Sequence, residues 1–191
     1  MNEKVIAAFG EDSAHRMVVG PLIAKVAQEA GVVVRVDWRN ARGGYPRVAS
    51  ELRDYLRDMS RQREQPDLVV IATDANCKGV AQRTSELPLD RVQVGIVLAI
   101  PDPHIERWLL LDGAAFKDVL GRGCQAPDQK CARDRYKRLL LQAVIDAGVE
   151  PSLGGIEYAE DLIANMDLDR AAGADESLRR FVESLRRELR K

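Results

Sequence analysis

Five polar residues follow apolar runs in positions where they could assemble chemistry: Glu11, Asp74, Asn76, Asp102 and Glu106. Glu11 comes after the run at residues 4–9 and its closing Gly10. Asp74 and Asn76 follow the run at 68–72, and Asp102 and Glu106 follow the run at 93–100. If these runs are parallel strands of an open sheet, all five residues lie at the carboxyl edge, where such sheets bind ligands. Carboxylates gathered at one edge repel one another unless a cation sits among them. A hard divalent ion with oxygen ligands and retained waters, Mg²⁺ or Mn²⁺, suits that set. Such an ion activates water and stabilises charge on a phosphoryl group. Each acid taken singly also suits a helix N-cap or first turn. The pair Glu11 and Asp74, each close behind an apolar run, is what points to a site.

Other chemistries lack their residues. No GxGxxG follows the first run and no GxxxxGK[ST] occurs, which disfavours dinucleotide and P-loop sites. His15 and His104 have no metal-like spacing, and no nucleophile-elbow signature is present. The cysteines, Cys77, Cys124 and Cys131, are odd in number, widely spaced and without a CxxC pair. They read as thiols rather than as a disulfide framework, with a weak hint of zinc in Cys124 and Cys131.

The elements that must position the acids alternate. Strands are expected at 4–9, 32–37, 68–72 and 93–100. Helices are expected from about 12 to 30, 47 to 63 and 79 to 87. WRNARGGY, residues 38–45, reads as a loop. This β-α-β-α-β-α-β order, with nearly continuous apolar strands, predicts an α/β fold: a Rossmann-like, mainly parallel sheet with helices on both faces. Beyond it, short helices are expected at 105–111 and 114–120, a Gly/Pro/Cys-containing loop at 121–130, and helices at 134–147, 158–166 and 176–190. The division is a core at 1–112 and a helical C-terminal extension at 113–191 packed on it.

Composition narrows the class. At 191 residues and 46% hydrophobic, one sizeable core is expected. The 31% charged residues cancel to a net −1, so nucleic-acid contact needs local clustering of basic groups. Aromatics at 5% leave little for a base-stacking platform. The first residues lack a signal-peptide pattern, and the apolar run at 92–101 is too short to span a bilayer. The expectation is a cytoplasmic protein without a membrane partner. Lys78, Arg39, Arg42 and Arg47 are the candidates for phosphate contact, because Arg binds phosphate bidentately and Gly43-Gly44 permits close approach. The basic C-terminal segment, SLRRFVESLRRELRK, reads as an amphipathic tail diluted by Glu183 and Glu188.

The order of these pieces resembles the TOPRIM (topoisomerase–primase) superfamily. That family places a Glu after its first strand and an Asp-x-Asp pair after its third. The matching segments are Phe9-Gly-Glu11-Asp-Ser13 and Ile71-Ala-Thr-Asp74-Ala-Asn76. The segment Ala99-Ile-Pro-Asp-Pro-His-Ile-Glu106-Arg-Trp-Leu-Leu-Leu-Asp112 is similar to one in small stand-alone TOPRIM-like proteins and the related OLD-type nucleases. The resemblance covers residues 4–112. It implies a metal-dependent site acting on DNA or RNA phosphodiesters, in a defence or repair setting and with an ATPase partner protein. Glu11 would be metal ligand or general acid/base, and Asp74 the principal ligand, so these two carry catalysis. Asn76 stands where the family has its second Asp. It can lend a neutral oxygen to Mg²⁺ or Mn²⁺, and Glu106 can supply part of the missing charge. The same departure opens the alternative of a catalytically inactive TOPRIM-like module that binds a partner protein or nucleic acid. A receiver-like phosphoacceptor also clusters acids, but the strand-four end Ile-Pro-Asp does not match it.

Overall fold

A computed structural model describes residues 3–40, 44–59, 65–89 and 94–191 of the chain. Strands β1 (Lys4–Gly10), β2 (Val34–Asn40), β3 (Leu68–Ala72) and β4 (Gly95–Ala99) form one parallel sheet in the order β2-β1-β3-β4. Alternation along the strands builds two cores. Ile6 and Ala8 of β1, with Leu68, Val70 and Ala72 of β3, meet one helical layer. Ala7, Phe9, Val69 and Ile71 meet the other. The first layer contains α1 (Ser13–Glu29), whose Val18, Val19, Leu22, Ile23 and Val26 recur at helical spacing and are buried. The second contains α2 (Tyr45–Met59), which buries Val48, Leu52, Tyr55 and Met59. The expected α/β fold with covered faces is therefore the observed one. No described helix is long and apolar enough to cross a membrane.

The register fixes where the site lies. Gly10 pairs with Asn40 and Ala72, and Ala72 pairs with Ala99. The strands thus end level, and whatever follows each one starts from the same edge.

Helix α3 (Val80–Ser85) follows a 3₁₀ turn at Asn76–Lys78. After β4 come α4 (Glu106–Leu109), α5 (Gly113–Leu120), α6 (Arg135–Asp146), α7 (Ala159–Asn165), α8 (Leu168–Ala174) and α9 (Glu176–Leu189). These helices pack on the α1 side. Trp108 stacks on Phe181 at 5.6 Å and donates its indole N–H to Ser177 Oγ at 3.0 Å. Lys25 of α1 donates to the Ile163, Ala164 and Met166 carbonyls at 2.7–3.0 Å, satisfying the C-terminal end of α7. Asp112 caps α5 through the Ala114 and Ala115 amides. It also accepts from the Asp167 amide and from Arg170.

Several expectations are corrected. Strand β2 starts later than residue 32 and runs through Trp38, Arg39 and Asn40, which were expected to begin a loop. Trp38 packs beside Gly10 and Gly20, where no Cβ intervenes, and this contact favours continuing the strand. Helix α8 was not expected; its seven residues, LDRAAGA, are too short for a clear period. Cys77 and Cys131 form a disulfide across 54 residues, with Cα atoms 5.5 Å apart, whereas free thiols were expected. Sequence spacing could not show that the fold brings the two together. Cys124 is the free cysteine. The expected end of α2 at 60–63, the start of strand four at 93, and Arg42 lie outside the described residues.

Candidate functional site

Asp74 is the centre of the edge. Its Oδ1 accepts the Ile105 backbone N–H at 2.9 Å and lies 3.3 Å from His15 Nε2. Its Oδ2 is 3.2 Å from His104 Nδ1. The strand ends force these meetings. The Ala75 and Asn76 amides donate to the Pro101 and Pro103 carbonyls at 2.9 Å, clasping the β3 end against the turn that carries His104. His15 enters from the first turn of α1, whose N-cap is Asp12. The Asp12 carboxylate accepts the His15 backbone N–H at 3.1 Å and lies 2.9 Å from its Nδ1. The result is a chain of titratable groups, Asp12–His15–Asp74–His104.

Charge is distributed accordingly. Burial disfavours charge on His15, which is 1% exposed, but the Asp12 and Asp74 carboxylates overcome it and lift the imidazole to about 10. Burial likewise opposes charge on Asp74. Hydrogen bonding from His104 and His15 prevails and holds that carboxyl at about 2. The bond to Asp74 raises His104 in turn. At neutral pH, Asp74 is ionised and His15 is an imidazolium.

Two further carboxyls feel the Asp74 charge. Glu11 accepts a short hydrogen bond from Thr73 Oγ1. Burial pushes its carboxyl up, and the Asp74 charge adds to the rise. Glu106 is 4% exposed, and its Oε2 is buried with no hydrogen-bond partner. Burial raises its carboxyl, and Asp74 again adds. Glu11, Asp74 and Glu106 are therefore electrostatically coupled. Among the described residues, no three His, Cys, Asp or Glu side chains are already drawn together as a metal-holding group. An ion there would take up the free Glu106 oxygen and share Asp74 with its histidines.

The other sequence candidates fall as follows. Asn76 adopts a left-handed φ of 51°, which Asn tolerates, and its amide turns onto the Asp74 carbonyl at 3.4 Å. Lys78 pairs with Glu86 at 2.6 Å. Arg39 lies on β2 over the Tyr55 ring at 4.7 Å. Arg47 pairs with Glu51 at 3.1 Å. In α9, Arg179 and Arg180 pair with Glu176, and Arg186 pairs with Asp169 and Glu29, so much of its basic face is neutralised within the molecule.

Five residues at this edge were not among the site candidates drawn from the sequence: Asp12, His15, Thr73, Arg83 and His104. Arg83, 3% exposed, donates its Nε–H to the Asp74 carbonyl at 2.8 Å and stacks on Tyr45. For the two histidines a signal existed. Each stands within five residues of a strand end, the same criterion that selected the acids.

A cleft of about 660 Å³ opens elsewhere, between α6 and the segment that precedes it. It is lined by Leu110, Arg122, Cys124, Asp128, Leu139 and Ala143, among others. It carries less chemistry. Burial pushes its one thiol, Cys124, up to about 11, so little of it is thiolate at neutral pH. Comparison of the chain with known proteins finds no matching family model, no matching curated protein and no matching solved structure.

Proposed function

We propose that the strand-end edge binds Mg²⁺ or Mn²⁺ and carries out phosphodiester chemistry on nucleic acid. One observation carries this reading: the unpartnered, buried carboxylate oxygen of Glu106, coupled to Asp74 beside Glu11. A buried carboxylate with an open lone pair and like charges for neighbours is stabilised by a cation. Glu106, Asp74 and Glu11 would hold the ion. When bound, it lowers the pKa of a water and offsets charge on a phosphoryl oxygen. Asp74 stays ionised and is kept in orientation by Ile105, His104 and His15. Glu11, with its carboxyl raised, is the group suited to take and return a proton. His15 keeps its proton at neutral pH and serves as a fixed positive charge. Lys78, exposed beside Asn76, can exchange Glu86 for a phosphate.

A second reading has its own support. The two histidines already balance Asp74, and Asn76 supplies no charge, as in a module that binds a partner without catalysis.

The deciding experiment offers single- and double-stranded DNA and RNA with Mg²⁺ or Mn²⁺. The first reading expects cleavage that disappears in Glu11→Ala and Glu106→Ala while circular dichroism stays unchanged. Calorimetry with Mn²⁺ separates the two readings. Binding that is lost in Glu106→Ala supports the first. Neither binding nor cleavage with either ion would leave only the second.

A further inference from the structure

We propose that the Cys77–Cys131 disulfide is a reducible latch: a dithiol opens it, frees the segment at 125–132 from the strand-end edge, and exposes Asp102 and Arg107 beneath. Cys77 lies in the 3₁₀ turn one residue after Asn76, three positions from Asp74. Cys131 lies near the end of a stretch, 124–132, that has no regular secondary structure. The bond thus ties an irregular segment to the turn that forms one wall of the acidic edge.

Cys124 anchors the start of the segment, donating its thiol to the Leu110 carbonyl at 3.7 Å and packing on the core, and the other attachments of residues 125–132 fall into two groups. The first is local. The Tyr136 hydroxyl accepts the Lys130 amide at 2.8 Å and donates to the Asp128 carbonyl at 2.9 Å, while Arg135 pairs with Asp128. These bind the segment to its own following helix, α6, and do not tie it to the turn at Asn76–Lys78. The second group reaches the edge. Arg107 Nη2 donates to the Pro127 carbonyl at 3.4 Å, and Gln129 hydrogen-bonds the Asp102 carboxyl. One long hydrogen bond and one side-chain contact remain if the covalent link is cut. The Tyr136 ring, 6.2 Å from His104, places this region directly beside the Asp74 network.

The bond is also placed for exchange. Both cysteines are exposed, so a reductant can reach either sulfur. Lys78 follows Cys77 and Lys130 precedes Cys131, and a neighbouring cation stabilises a departing thiolate. A dithiol's first thiolate attacks one sulfur, and the S–S bond breaks with its electron pair on the other. The reductant's second thiolate then displaces the first cysteine. Two protein thiols form, the dithiol becomes a disulfide, and two electrons and two protons pass to the protein. The consequence for activity rests on the strand-end edge being the working site, but the latch does not.

Hydrogen exchange read by mass spectrometry on the full chain, with and without dithiothreitol, tests it without metal or substrate. The expected result is reduction of Cys77–Cys131 in the folded protein, mapped by differential alkylation. Exchange should rise about tenfold or more in the peptide covering 75–79, whose Ala75, Asn76 and Lys78 amides are hydrogen-bonded, with the sheet unchanged. Cys131→Ser should reproduce that pattern without reductant and respond no further, whereas Cys124→Ser should behave as wild type. A bond that resists dithiothreitol until global unfolding, or one that is reduced with no change in the peptide covering 75–79, overturns the proposal. Should Cys131→Ser fail to fold, the wild-type pair of measurements decides alone.

Discussion

The charge on Asp74 supports the fold as well as the site, and Asp74→Asn isolates that contribution. The side chain keeps its shape and retains an oxygen for the Ile105 amide, so what disappears is the attraction to His15 and His104. A carboxyl held at about 2 rather than 3.8 is worth about 2.5 kcal/mol of folding free energy, at roughly 1.4 kcal/mol per pKa unit. Because the folded-state value is the lower one, this stabilisation is complete above pH 3.8 and is lost as pH falls through about 2. The variant also removes one of the two carboxylates that keep His15 charged in a buried position, so the cost at pH 7 reaches about 2–3 kcal/mol. Urea unfolding in chelated buffer from pH 2 to 7, followed by the fluorescence of Trp38 and Trp108, measures it. The expected variant has a lower midpoint at pH 7, an unchanged slope and a flattened acid limb. If its stability at pH 7 lies within about 0.5 kcal/mol of wild type, or its acid limb matches, the histidines contribute no net energy to Asp74 and the reasoning fails.

His15 gives the opposite limb: its imidazole is raised from 6.5 to about 10, so its stabilisation is full below pH 6.5 and lost as pH climbs through 10. Thermal unfolding between pH 6.5 and 10 should therefore show a steady decline in the wild type and a shallower one in His15→Gln; parallel curves would count against the assignment. Asp112 is 2% exposed and serves the α5 cap, the Asp167 amide and Arg170 at once, so Asp112→Ala should cost about 3 kcal/mol in urea unfolding. Arg170→Ala, whose guanidinium is over half exposed, should cost under about 1 kcal/mol, and equal losses in the two variants would refute that ranking.

The sheet was legible in the chain because its central strands, β1 and β3, are buried on both faces. Runs such as LVVIA at 68–72 have no exposed side to interrupt them, and each is closed by polar residues. The same regularity located Glu11, Asp74 and Glu106, since parallel strands in level register deliver their successors to one edge. Helix α8 and the extra length of β2 were hidden for local reasons. Seven residues carry too little period, and Trp38 stays in its strand through packing against Gly10 and Gly20. What surrounds the acids was decided in three dimensions. His15 reaches Asp74 across 59 positions and His104 across 30, and each imidazole acquires its role from a carboxylate that only folding supplies. The Cys77–Cys131 bridge is of the same kind, because its two halves meet only once the segment before α6 is laid against the end of β3. Local pattern thus determines which residues reach the edge, because hydrophobic burial acts on runs of side chains. Pairing across the edge determines which charges persist there, because Coulomb and hydrogen-bond energies depend on distances that folding sets.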